Sequence, residues 1–139
     1  MNCVYCKNNT KVTNSRHQKR PNNVWRRRRC DACQSTFTSV ETPKLDANLL
    51  FNNKKEAPEP FLRDKLLISV YKCLMHRKTA QTDATALTDT IISKATSKCL
   101  NASIDRDAIV NIVIETLDKF DKPAAVQYTA YHPIGRVNS

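Results

Sequence analysis

Cys3-Val4-Tyr5-Cys6 stands at the start of this chain, and Cys30-Asp31-Ala32-Cys33 answers it across positions 7–29. Two residues between cysteines let both thiolates of one turn reach the same ion. Two such turns supply four sulfurs, enough to close a tetrahedral Zn²⁺ shell. A closed shell leaves no position for substrate or activated water. The expected metal is therefore one structural zinc per chain, held by Cys3, Cys6, Cys30 and Cys33. A disulfide framework would need a secretory context, and no apolar signal region follows Met1. A thioredoxin-like dithiol would sit in a βαβ pattern, which neither pair does. Cys73 and Cys99 fall inside apolar helical patterns, where small buried thiols are ordinary.

Working outward from the knuckles, Thr10 to Arg16 is rich in β-formers and reads as a strand. Residues 17–23, from His17 to Asn23 and including Pro21, read as a hairpin tip. Val24 to Arg29 returns as a second strand, and Thr36 to Glu41 reads as a third. The expectation is a three-stranded zinc ribbon, too small to fold without its metal, with Trp25 packed on its core. Arg26, Arg27, Arg28 and Arg29 lie on one of these strands, where alternate side chains face opposite sides. Arginine offers the planar fork suited to phosphates and guanine edges. With Lys11 and Arg16 nearby, the expected contact surface for nucleic acid is Lys11, Arg16 and Arg26–Arg29.

Charge is distributed to match. Residues 1–45 carry ten Lys/Arg against two acids, whereas residues 46–139 carry thirteen against eleven. The excess of +8 over the first part, within a total of +10, predicts a polyanionic partner for that part alone. Gly135 is the only glycine, so phosphate-cradling glycine loops of the GxGxxG or GxxxxGK type are excluded. Turns with positive φ are expected to fall to Asn8-Asn9, Asn22-Asn23 and Asn52-Asn53.

Thr42-Pro43-Lys44-Leu45-Asp46 breaks the strand pattern. It predicts a boundary between a ribbon over residues 1–45 and a second domain over 46–139. Asn48 to Phe51 reads as a short strand, paired as a hairpin with the segment at Pro60-Phe61. Four amphipathic helices follow. The first, from Asp64 to about Arg77, stripes Leu66, Val70 and Leu74 beside Leu67 and Tyr71. The second, capped by Thr82 or Asp83, stripes Leu87, Ile91, Ala95 and Cys99. The third, capped by Ser103, carries Ile109, Ile112, Val113, Leu117 and Phe120. The fourth starts near Asp121, tolerates Pro123 in its first turn, and carries Ala124, Tyr128 and Tyr131. The fold class is α+β. No apolar run approaches the length of a membrane span. His17, His76 and His132 each read as exposed, with no nucleophile at a useful spacing, so an enzyme is not expected.

These segments resemble a known family. Cys3-x-x-Cys6, Thr10-Lys11-Val12-x-x-Ser15-Arg16 and Arg26-Arg27-Arg28-Arg29-Cys30-x-x-Cys33-x-x-x-Phe37-Thr38-x-x-Glu41 look like the zinc ribbon of the NrdR repressors. Glu59-Pro60-Phe61-x-Arg63-Asp64-Lys65-Leu66 looks like the segment opening the first helix of their ATP-cone domain. The resemblance implies a bacterial cytoplasmic repressor of ribonucleotide reductase genes. It implies operator DNA on the ribbon, ATP or dATP as effector in the cone, and a homo-oligomer built through the cone. On this likeness Lys65 and Glu59 stand at the family's helix lysine and acidic positions, and Lys54 and Lys55 take the place of the hairpin's basic pair. Two departures are visible. Lys7 and Gln34 follow the knuckle cysteines where glycine is common, and Asn52-Asn53-Lys54-Lys55 replaces the family's Lys-Arg-Asp-Gly turn. A competing reading is a zinc-ribbon RNA- or ribosome-binding protein with a helical protein-interaction domain.

Overall fold

A computed structural model describes residues 1–134, so Gly135 lies outside the described residues. The chain divides between Pro43 and Lys44 into two compact units.

In the first unit, β1 (Thr10–Gln18), β2 (Asn23–Cys30) and β3 (Thr36–Glu41) form an antiparallel sheet in the order β1-β2-β3. Strand β1 runs further than expected. His17 pairs with Val24 and Gln18 with Asn23, so His17 is a strand residue and the tip shrinks to the residues between Gln18 and Asn23. The ladder continues there with exposed His17 and Gln18 on one arm against half-buried Val24 and Asn23 on the other. The buried core is only Cys3, Cys30 and Phe37, with Cys6 packed against it. Trp25, expected in this core, is half-buried in the row Arg16–Trp25–Val40 instead. Its register decides this, because the residues opposite Cys30 and Phe37 belong to the other face.

Among the described residues, five other than glycine adopt positive φ: Lys7, Asn22, Gln34, Asn101 and Ala102. Asn22 is at an expected position, but Asn8, Asn9, Asn23, Asn52 and Asn53 are not among them. Lys7 (φ 66°) and Gln34 (φ 62°) hold the same place in the two knuckles, one residue past the second cysteine. The hydrogen bonds repeat as well. Cys3 N–H donates to Asn8 O (2.8 Å) and Cys30 N–H to Ser35 O (2.9 Å). Each chain reversal that brings two thiols together passes through the left-handed region at that residue, whatever side chain it carries.

The second unit opens with a single turn, α1 (Leu45–Asn48), followed by β4 (Leu50–Asn52) and β5 (Glu59–Pro60). Asn48, expected in the strand, ends the turn instead, its amide donating back to Lys44 O at 2.7 Å. Helices α2 (Arg63–Leu74) and α3 (Ala80–Lys98) follow, then β6 (Ser103–Asp105), α4 (Arg106–Phe120) and α5 (Lys122–Tyr131). The expected hairpin is present, with Leu50 opposite Pro60 and Phe51 opposite Glu59. It gains a third strand: β6 pairs parallel to β4, giving the order β5-β4-β6. Ser103, expected as a helix cap, is therefore a strand residue whose hydroxyl accepts from Asn52 Nδ2 at 2.6 Å. Asp105 takes the capping position with an extended backbone. Similarly α3 starts at Ala80, ahead of the expected caps Thr82 and Asp83. The carboxylate of Asp83 instead accepts from Thr79 Oγ1 (2.6 Å) and Arg77 Nε (3.0 Å).

The helical stripes meet in one core. Leu66, Val70 and Leu74 of α2 pack with Ala84, Ile91 and Ala95 of α3, Ile109, Val113 and Leu117 of α4, and Ala124 and Tyr128 of α5. Phe120 and Tyr131 extend two expected stripes but are exposed. Asp121 caps α5, accepting from Ala124 N–H at 3.0 Å. His76 is exposed, as expected, yet its Nε2 pairs with Asp121 Oδ2 at 2.9 Å.

Candidate functional site

The four cysteine sulfurs lie within 4.8 Å of one another. A tetrahedral Zn–S shell with bonds of about 2.3 Å has sulfur–sulfur edges of about 3.8 Å. The Cys3–Cys33 and Cys6–Cys30 separations are 3.7 and 3.5 Å, so the donor set fits the metal in number, chemistry and spacing. Donors surround it: Tyr5 N–H points at Cys3 Sγ and Asn8 Nδ2 at Cys6 Sγ, each at 3.4 Å. The Ser35 hydroxyl lies 3.4 Å from Cys3 Sγ and 2.9 Å from Cys33 Sγ. Such outer partners fix ligand orientation. They also move the thiols apart in acidity. Ser35 is the main cause that brings Cys3 down to about 6, and the Asn8 backbone and amide lower Cys6. The Cys33 N–H acts to lower Cys30, but burial and the neighbouring Cys6 thiol outweigh it and push Cys30 up to about 11. Four clustered thiols that cannot all ionise alone are suited to a dication, which supplies the missing positive charge. Cys73, by contrast, is buried and its thiol is pushed up by that burial, which leaves it an inert core residue.

The basic residues of the ribbon are sorted by register. Lys11, Arg29 and Thr36 form one row across the sheet, Asn14, Arg27 and Thr38 the next, and Arg16, Trp25 and Val40 a third. Val12, Arg28 and Phe37, then Ser15, Arg26 and Ser39, alternate with them on the opposite face. That opposite face is the one carrying the buried Phe37 and Cys30. Arg26 there is paired with Glu41 (3.3 Å) and Arg28 Nε donates to Ser39 Oγ (2.9 Å). On the outward face Arg27 donates to Thr36 Oγ1 (2.8 Å) and Thr38 Oγ1 (3.3 Å), and Arg29 to Gln34 Oε1 (2.7 Å). Lys11 pairs with Asp31 at 2.5 Å, an exposed contact.

In the second unit an open cleft lies between the small sheet and the helices. Phe51, Phe61, Leu62, Leu66, Ile109 and Val110 give it apolar walls; Glu59, Lys65, Ser69, Arg106, Tyr128 and His132 supply the polar groups. Lys65, in the first turn of α2, pairs with Glu59 Oε1 at 3.1 Å. The sequence-expected Lys65 and Glu59 are thus brought together. Lys54 and Lys55 stand in the turn after β4 and are not among the lining residues. Arg106 had no sequence signal. It reaches the cleft because β6 delivers the start of α4 there, and its Nη1 is tied to Asp107 Oδ1 and Pro133 O, each at 3.3 Å. Tyr128 stacks on His132 with ring centres 4.1 Å apart. Burial pushes its phenol up to about 12, so it stays protonated.

Residues 1–41 match the family described as the N-terminal domain of NrdR-like transcriptional repressors. Over 95% of its length the chain is 31% identical to a transcriptional repressor NrdR of Streptococcus uberis, covering 80% of that protein. It is 31% identical to one of Ehrlichia canis, covering 86% of it, and 29% identical to one of Bifidobacterium longum, covering 88%. All three are named as repressors rather than enzymes. No helix among the described residues is long and apolar enough to cross a membrane. With a four-cysteine ribbon, an α+β second unit and relatives aligned along nearly its full length, this chain belongs to the NrdR family of transcriptional repressors.

Proposed function

We propose that this chain is a nucleotide-responsive repressor of ribonucleotide reductase genes, acting in a bacterial-type cytoplasm. Cys3, Cys6, Cys30 and Cys33 hold one structural zinc, and operator DNA is contacted from within the basic set Lys11, Arg16 and Arg26–Arg29 of the ribbon. Residues 46–139 bind ATP or dATP and assemble the homo-oligomer. The observation that carries the reading is the presence, in one chain of this family, of a cationic ribbon and of a cleft lined by apolar residues together with Lys65. An adenine ring suits apolar walls, and a triphosphate needs cations because no glycine loop is present to offer backbone N–H groups.

Lys65 lies at the N-terminal end of α2, where the helix dipole already favours an anion. Its pair with Glu59 is exposed, and exposed pairs are worth little, so a polyphosphate displaces it at small cost. Lys54 or Lys55 adds a second cation from the hairpin turn. For nucleotide to act as a signal, ATP and dATP must bind the alternative assemblies with different affinities, since equal affinity shifts nothing.

The test combines calorimetry of each nucleotide with mass photometry and DNA binding under ATP, dATP and neither. Lys65→Ala is expected to weaken both nucleotides by similar factors, because both carry the same triphosphate. No heat with either nucleotide at millimolar concentration would reduce the second unit to an assembly scaffold.

A further inference from the structure

We infer that DNA lies across the outward face of the ribbon sheet alone, on Lys11, Arg16, Arg27 and Arg29, while Arg26 and Arg28 lie on the opposite face, the one carrying the buried Cys30 and Phe37, and make no contact with the DNA. This rests on the DNA reading above and divides its six basic residues into two classes.

The first support is the bulge in β1. Lys11 and Arg16 are five residues apart, so in a regular strand they would point to opposite faces. The pairing skips Thr13, running from Val12–Arg28 directly to Asn14–Arg27. That one unpaired residue shifts the alternation and puts Arg16 on the same side as Lys11, Arg27 and Arg29. Re-aiming a side chain is what bulges do next to functional surfaces.

Charge is the second support. Each face carries one ion pair, Lys11–Asp31 on the outward side and Arg26–Glu41 on the opposite one, so the difference lies in the arginines: one inward guanidinium is paired to an acid and neither outward one is. The outward guanidinium groups of Arg27 and Arg29 are held by neutral oxygens of Thr36, Thr38 and Gln34. These contacts orient the forks without cancelling their charge, which is the state a phosphate or a guanine edge requires. Exposure agrees, since Arg27 and Arg29 are exposed where Arg26 and Arg28 are half-buried. The three outward rows lie about 7 Å apart along the strands and span about 14 Å, roughly four base-pair steps of duplex DNA.

The test compares two double variants of the full zinc-loaded chain that remove equal charge: Arg27→Gln/Arg29→Gln and Arg26→Gln/Arg28→Gln. Affinity for a mixed-sequence 30-base-pair duplex is measured from about 50 to 200 mM salt, at one fixed nucleotide condition, alongside zinc content. The outward double is expected to flatten the slope of log K by about 1.8 and to bind roughly tenfold more weakly. The inward double should keep the wild-type slope. Equal losses in both variants, or a loss in the inward one only, would overturn the face assignment and leave DNA binding itself standing. Failure of the wild-type chain to bind duplex would overturn the DNA reading instead, as would tighter binding to a single strand of the same sequence. If the inward double loses its zinc, Lys11→Gln/Arg16→Gln decides, and an unchanged slope there overturns the proposal.

Discussion

Lys7 and Gln34 take backbone angles that glycine adopts freely and that cost other residues roughly 1–2 kcal/mol. Each is partly compensated. Lys7 Nζ donates to Val4 O at 3.2 Å, whereas Gln34 accepts from Arg29 and donates to Asp31 O at 2.6 Å. The two positions are therefore expected to respond differently. Lys7→Gly should stabilise the zinc-loaded ribbon by up to about 1 kcal/mol. Gln34→Gly should gain less, because it discards a bridge between Arg29 and the second knuckle. Thermal melting of the two variants side by side checks the difference, and equal gains would mean the bridge contributes nothing.

Two elements depend on single residues. Deleting Thr13 should restore a regular β1, return Arg16 to the opposite face and lower the salt slope of DNA binding by about 0.9, one contact. An unchanged slope in a folded, zinc-loaded deletion would show that the bulge has no part in binding. The second element is α5, whose cap Asp121 has a side chain only 7% exposed and also binds Arg77 Nη1 at 3.1 Å. His76 and the Ala124 N–H are the main causes holding the Asp121 carboxyl below its usual range, and Thr79 and Arg77 do the same for Asp83. Groups with depressed acidity contribute stability above the ordinary carboxylate value and lose it as pH falls through the lower folded value. Melting of the second unit should thus be insensitive to these two groups from pH 7 to 5 and weaken below about pH 4. Asp121→Ala should cost about 1–2 kcal/mol through the lost cap alone and flatten that acid dependence.

For the whole molecule, the decisive fact is that the two units have separate and unequal cores. Among the described residues, the hydrophobic core of the first holds three, two of them metal-ligand candidates; that of the second holds nineteen, drawn from every helix except α1 together with Leu49, Phe61 and Ile104. Zinc binding in small ribbons supplies on the order of 10 kcal/mol of folding free energy, while the second unit has apolar burial of its own. Chelation under reducing conditions should therefore abolish DNA binding and the ribbon's protection from proteolysis, yet leave the helical signal and its melting in place. Loss of the helical signal on chelation would mean that the second unit does not fold by its own core. Full retention of ribbon protection after metal removal would contradict a structural role for zinc.

The spacing of Cys3, Cys6, Cys30 and Cys33 determined the ribbon by itself, because four thiols two and two apart leave the chain few ways to surround one ion. The helical stripes were legible for the same kind of local reason. Leu66, Val70 and Leu74, or Ile109, Val113 and Leu117, recur at the helix period, and all six are buried. What stayed hidden depends on partners distant in sequence. Ser103 has the local chemistry of a helix cap, but pairing of β6 with β4, some fifty residues earlier, made it a strand residue. Trp25 has the hydrophobicity of a core residue, and only the register against Arg16 and Val40 put it on the outward face. Arg106 carries no motif and lines the cleft solely because that same parallel pairing starts α4 there. The division of Arg26–Arg29 was half visible, since alternation is a property of any strand. Which pair faces outward, and that Arg16 joins it, was decided by Phe37 and Cys30 burying one face and by one unpaired residue in β1, and neither exists until the three strands are in contact.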